Sequence, residues 1–232
     1  MAIAGGSSLA PRVETIVIPP RAEHTATVFF IHGLGQEADS WVPTLQRVVD
    51  LLPEVKWVLP QARTAPVTYN QGQRRPSWFD IANLPPCNCY DEPGATASVA
   101  TIENLVTAEV RSGTPPTRIV LIGFSQGGAL AMMTALTTLQ ELGGVASLSG
   151  WIPQQSRQAM LQLEPCLPVF WAHGIPDTEV PISYGAESVE FLRESLHISD
   201  DKLVFKKYEQ LEHTVNDGEL DDLAVWLTQL LG

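Results

Sequence analysis

Apolar residues change their spacing repeatedly along this chain, and each change marks a new element. "TATVFFIHG" (residues 25–33) is a run of β-branched and aromatic residues too short for a helix, which predicts a buried strand. Trp41, Leu45, Val48, Val49 and Leu52 then recur at helical spacing behind Asp39 and Ser40, either of which is suited to cap the helix. A second strand is predicted at Lys56–Pro60. Val99, Ile102, Leu105, Val106 and Val110 share a helical face that must stop at "SGTPP", where a glycine and two prolines prevent continuation. The pattern then predicts a strand at Arg118–Gly123, an apolar helix opened by Gln126, strands in "VASLSG" and "LPVFWAHG", a helix over Ser183–Leu196 and a strand over Leu203–Tyr208. A last helix follows Asn216, with Asn216 and Glu219 spaced like a capping box and Leu220, Leu223, Ala224, Leu227 and Leu230 inward.

Strands that alternate with helices imply parallel pairing, with the crossover helices on both faces of one twisted sheet. The expected fold class is therefore α/β, a single doubly wound domain over residues 1–232, in which residues 1–24 form an N-terminal extension and first strand. Working groups in such sheets gather where loops leave the C-terminal strand ends. The segment Gln61–Gly94, rich in Pro, Asn and Gly, is expected to be irregular and to wall a binding site.

Composition narrows the function without naming it. A chain of 232 residues with 44% hydrophobic residues supports one sizeable core. Its net charge of −12, with thirteen of the 26 acidic residues but only four of the 14 Lys and Arg after Gly174, disfavours nucleic acid and anionic membrane surfaces as partners. The start, "MAIAGGSSLAPRVE", has no basic and apolar leader, and no segment is long enough to span a bilayer, so a soluble, cytoplasmic protein is expected. Cys87, Cys89 and Cys166 are too few for a disulfide framework and wrongly spaced for zinc; free thiols are expected, with no metal.

One stretch carries chemistry. Gly123-Phe124-Ser125-Gln126-Gly127 is a Gly-x-Ser-x-Gly elbow directly after a predicted strand and before a predicted helix, the setting that exposes a serine on a strained turn. A serine hydroxyl needs a base, and the base needs an orienting acid. His213 lies in the last strand-to-helix loop, whereas His197 lies between a helix and the next strand, at the wrong end of the sheet. Asp177 follows strand "LPVFWAHG" on a C-terminal loop, between Ser125 and His213 in the chain, whereas Asp200 and Asp201 lie with His197 at the wrong end of the sheet; a loop aspartate is also a turn former, but the complete arrangement favours Asp177 as the orienting acid. Acyl transfer further needs two N–H groups for the oxyanion, and the Gln126 and Leu34 amides are the candidates, the latter in the glycine-flanked loop "HGLG".

Two other classes compete. "GLGQEA" (residues 33–38) also fits a dinucleotide fingerprint, but its acidic partner should end the second strand, and Glu54 precedes it. A non-catalytic binding module of the same fold would lack one of Ser125, Asp177 and His213, and all three are present. His32 and His173, each in a strand-ending "HG", read as hydrogen-bonded structural histidines. Trp78 and Phe79 are either core or an apolar wall of the substrate site.

"FFIHGLG", "PVT", "SWFD", "GFSQGGALA", "LSGW", "HGIPDTEVP" and "YEQLEHT" occur in the order found in the acyl-protein thioesterase, lysophospholipase and small carboxylesterase family, which the chain resembles from about Val28 to its end. The resemblance implies an α/β-hydrolase that cleaves acyl thioesters or carboxylic esters without a cofactor. It puts Ser125, Asp177 and His213 on the triad, Leu34 and Gln126 on the oxyanion amides, and Trp78 beside the acyl channel. Phe79, Leu84 and Val180 complete the expected substrate contacts. The implied partner is an acylated protein or a small acyl ester or thioester. Gln36 and Ile175 stand where family members often have Asp, which bears on local hydrogen bonding and substrate preference. Activity is expected to fall as His213 takes up a proton.

Overall fold

The computed structural model describes residues 13–85, 91–163 and 165–232. In chain order these hold β1 (Thr15–Ile18), β2 (Ala26–Ile31), α1 (Trp41–Leu51), β3 (Val55–Pro60), β4 (Thr64–Val67), β5 (Gln73–Pro76), α2 (Glu92–Arg111), β6 (Ile119–Phe124), α3 (Gln126–Thr137), β7 (Gly144–Leu148), α4 (Arg157–Met160), β8 (Val169–Gly174), α5 (Ile182–Glu194), β9 (Leu203–Tyr208) and α6 (Asp217–Leu231). Seven strands make one sheet in the order β1-β3-β2-β6-β7-β8-β9. All neighbours are parallel except β1 and β3.

Parallel strands need crossovers, and these cover both faces of the sheet. Because alternate strand residues point to opposite faces, Val28 and Phe30 of β2 pack with Val120 and Ile122 of β6 against α1 and α6. Phe29, Ile31 and Leu121 face the other way, onto α2, α3 and α5. Helix α3 is buried from Gln126 to Leu136, so it sits at the centre of that layer and fixes where its first residue lies. Helix α2 is tied to the sheet by Glu109, which is 6% exposed. Its carboxylate accepts hydrogen bonds from Thr27 Oγ1 at 2.7 Å, Thr114 Oγ1 at 2.9 Å and Lys56 Nζ at 2.6 Å. Burial pushes its pKa up, but these donors outweigh that and hold it below the ordinary carboxylate value.

Three local expectations change. The stretch expected to be irregular contains a hairpin, with Thr64 opposite Pro76 and Val67 opposite Gln73. Gln71 (φ 57°) and Gly72 (φ 77°) turn the chain in the left-handed region. Helix α1 is entered through a 3-10 turn, Ala38–Ser40, and neither Asp39 nor Ser40 caps it; the Ser40 hydroxyl donates instead to the Glu37 carbonyl at 2.7 Å. The capping box of α6 is half formed, because Asn216 Oδ1 accepts from the Glu219 amide at 2.9 Å while the Glu219 carboxyl makes no return bond. Cys87 and Cys89 lie outside the described residues, and Cys166 is a free, exposed thiol. No helix among the described residues is long and apolar enough to cross a membrane.

Glu219 is fully buried, and both its carboxyl oxygens are without hydrogen-bond partners among the described residues. Burial raises its pKa from the ordinary 4.5 to about 8. The folded chain thus holds a proton that the unfolded chain releases, so the stabilisation is full below pH 4.5 and is lost as pH rises towards 8. Glu219→Gln carries no such proton. Its thermal stability relative to the native chain is expected to rise between pH 5 and pH 8, by an amount on the order of 3 kcal/mol, in paired melts. A constant difference across that range would rule out a neutral buried carboxyl.

Candidate active site

The site starts at the junction of β6 and α3. Ser125 adopts φ 53° and ψ −119°, a conformation a side chain rarely takes and one that costs on the order of 1–3 kcal/mol. The glycines on either side explain how it is reached. A Cβ on Gly123 would lie 2.1 Å from the Gly127 carbonyl oxygen, and one on Gly127 would lie 2.0 Å from that of Ile31. The Ser125 amide is anchored across the sheet to the Leu148 carbonyl at 2.8 Å, and its own carbonyl accepts from Ala129 at 3.0 Å. The hydroxyl is left at the C-terminal rim of the sheet, at the start of a twelve-residue helix.

Three loops bring the expected residues together there. Ser125 Oγ lies 2.8 Å from His213 Nε2, and His213 Nδ1 lies 2.7 Å from Asp177 Oδ2. Since a carboxylate only accepts, Nδ1 carries the proton and Nε2 is free to accept from the serine. Asp177, 4% exposed, is held at its second oxygen by the Glu179 amide at 3.0 Å and the Val180 amide at 2.9 Å. This turn is closed in turn by His173, whose Nε2 donates to the Val180 carbonyl at 2.7 Å and lies 3.6 Å from Asp177 Oδ2. Burial lowers the His173 pKa, against the opposing pull of its Val180 bond and the Asp177 charge, so the ring is neutral.

The loop after β2 supplies the opposite side. Gly33 N and Trp41 Nε1 both donate to Gln36 Oε1, at 2.8 and 3.1 Å, so Gln36 folds the loop back on itself. His32, also kept neutral by burial, donates from Nδ1 to the Gly33 carbonyl at 2.7 Å and accepts from the Ala62 amide at 3.0 Å. Gln126 is fully buried, and its side chain binds the Trp78–Phe79 segment, accepting from Trp78 N at 3.1 Å and donating to the Phe79 carbonyl at 2.7 Å.

A cavity of about 360 Å³ opens over Ser125 and His213. Leu34 and Leu84 line it, as does Gln36. Trp78, Phe79 and Val180, expected to touch substrate, do not line it; Trp78 and Phe79 border a separate cavity of about 470 Å³, and Val180 is fully buried. Their places have structural causes: Trp78 Nε1 donates to the His32 carbonyl at 2.9 Å, Phe79 stacks edge-on behind Trp151, and Val180 belongs to the Asp177 turn. The wall is made instead by Trp151, Ile81 and Tyr69, with Asn70, Arg75 and Glu179 at its polar parts. Trp151 had a signal, since it follows the C-terminal end of a predicted strand. Tyr69 and Arg75 had none, because they depend on the hairpin. Glu54 stands before β3, at the end of the sheet away from the β2 loop, where an acid could not meet a ribose beside that loop. Among the described residues no group of His, Cys, Asp and Glu is arranged to hold a metal ion.

Comparison with known proteins agrees with this geometry. The family model described as Phospholipase/Carboxylesterase matches residues 13–231. Acyl-protein thioesterase 1 of Cryptococcus neoformans is 39% identical over 228 residues, covering 92% of this chain and 96% of the relative. The protein of the same name from Mycosarcoma maydis is 38% identical, covering 94% and 98%. The crystal structure of Zea mays acyl-protein thioesterase 2 superposes with a TM-score of 0.81 at 29% identity, over 94% of this chain and 99% of that one. An α/β sheet with a strained serine at its rim, a histidine and a buried aspartate in line with it, and a match along nearly its whole length establish that this chain belongs to the phospholipase/carboxylesterase family of α/β-hydrolases.

Proposed function

We propose that the protein hydrolyses acyl thioesters or carboxylic esters through an acyl-enzyme on Ser125. The observation that carries this reading is the unbroken chain Ser125 Oγ, His213 Nε2, His213 Nδ1, Asp177 Oδ2, with distances of 2.8 and 2.7 Å. As Ser125 Oγ attacks the acyl carbonyl, its proton passes to His213 Nε2. The new imidazolium is stabilised by Asp177, whose carboxyl is held in place by two backbone N–H bonds besides the histidine. Negative charge on the former carbonyl oxygen is met by the Leu34 and Gln126 amides, the second at the positive end of α3. His213 then protonates the leaving sulfur or oxygen, and the acyl group stays on Ser125. Water enters, gives its proton to the same nitrogen and releases the carboxylic acid as Ser125 is restored.

The names of the fungal relatives point to S-acylated proteins as the substrate class, and the apolar wall of Trp151, Ile81 and Leu84 suits an acyl chain. Side chains of this protein supply nucleophile, base and orienting acid, and no step calls on a cofactor.

Two outcomes follow from the geometry. Ser125→Ala is expected to abolish covalent labelling by a fluorophosphonate and to lower kcat/KM by at least about 10⁴-fold; persistent labelling would move the nucleophile elsewhere. Gly185 of α5 abuts the ring that closes the Asp177 turn, and a Cβ there would meet His173 Nδ1 at 2.5 Å. Gly185→Ala is therefore expected to lower kcat about ten- to a hundredfold, with a smaller effect on KM, through displacement of Asp177. Unchanged kcat in a folded Gly185→Ala protein would remove His173 from the support of the site.

A further inference from the structure

Two charged side chains besides the histidine line the cavity over Ser125, Arg75 and Glu179. Arg75 is on β5, next to Pro76, whose carbonyl accepts from the Gly35 amide at 2.8 Å, and its Nη2 donates to Gln73 Oε1 at 3.2 Å. Glu179 lies on the Asp177 turn. Its amide is fixed to Asp177 Oδ1, and its Oε2 reaches to 3.9 Å from His213 Nε2. The carboxylate has no other ion-pair or hydrogen-bond partner among the described residues, and it is 60% exposed. It is an available anion at the nitrogen that hands a proton to the leaving group.

We propose that Glu179 selects the leaving group, favouring esters and thioesters whose leaving alcohol or thiol bears a positive charge a few bonds from the scissile atom. The inference rests on the serine-hydrolase reading, which assigns the leaving atom to His213 Nε2. A leaving sulfur or oxygen within reach of that nitrogen brings its next few atoms beside the Glu179 carboxylate. A cation there is attracted and an anion is repelled, with screening by water and salt because the carboxylate is half exposed. Two sources share the required chemistry: an S-acylated cysteine flanked by Lys or Arg, and a small ester of an amino alcohol or thiol.

The test compares octanoyl thioesters of thiocholine, N-acetylcysteamine and thioglycolate, which carry a positive, neutral and negative leaving group on one acyl chain. A second pair, S-octanoyl-cysteine peptides flanked by lysines or by glutamates, separates the two sources. The wild-type protein is expected to rank them positive, neutral, negative in kcat/KM. Glu179→Gln is expected to compress the positive-to-negative ratio about three- to tenfold, and 0.5 M salt is expected to compress it in the wild type. Glu141→Gln removes the same charge from an exposed loop before β7, at the far end of the sheet, and controls for the net charge of −12. Fluorophosphonate labelling confirms that each variant is folded. Compression confined to the peptides, or to the small thioesters, identifies the source. A ratio unchanged in Glu179→Gln, or equally compressed in Glu141→Gln, would overturn the proposal. Failure of the wild type to cleave even the neutral thioester would strike the hydrolase reading instead.

Discussion

The backbone of Ser125 is the constraint on which the other features depend. At φ 53° it holds a conformation that a free chain would leave, and it is kept there because neighbours on both sides are already committed. β6 is paired to β2 and β7, α3 is buried along most of its length, and Gly123 and Gly127 let the two segments touch. The strain is thus carried by the centre of the fold. Its return is a hydroxyl that projects from the sheet with the first amides of a helix beside it.

Around that fixed point, polar groups are held by other polar groups one layer deeper. His213 is oriented by Asp177, Asp177 by two amides of its own turn, and that turn by His173. The loop after β2 is folded by Gln36, whose amide oxygen accepts from both Gly33 N and Trp41 Nε1. Gln126 has two uses: its backbone begins α3, and its side chain holds the Trp78–Phe79 segment against the elbow. Such support matters because a nucleophile and base must stay within hydrogen-bond reach without reorganising as charge develops.

Most of the architecture was legible in the sequence because each buried strand is a short apolar run ended by Gly or Pro, and the long helices either carry one apolar stripe or, like α3, are apolar nearly throughout. Serine, histidine and aspartate were legible for a topological reason: in a parallel sheet, loops that leave the C-terminal strand ends share one rim and cannot meet loops at the other. What escaped depends on contacts between distant segments. The exposed hairpin strands, "TAPV" and "QRRP", show no alternation, so pattern could not reveal them or the cavity residues Tyr69 and Arg75 that they place. Trp78 and Phe79 were ambiguous because a large apolar side chain looks the same whether it faces a ligand or packs inward, as Trp78 does against His32 and Phe79 against Trp151. Glu219 shows the same limit, since its spacing suited a capping box while its burial took the carboxyl out of reach.

Rapid acid quench of the protein mixed with an activated acyl ester, followed by intact-mass and peptide mass analysis, tests the central claim most directly. One acyl group, added with loss of one hydrogen, is expected on the peptide that contains Ser125, and none when His213 is replaced by Ala. An acyl group found reproducibly on another residue, such as Cys166, in hydrolytically competent protein would contradict it.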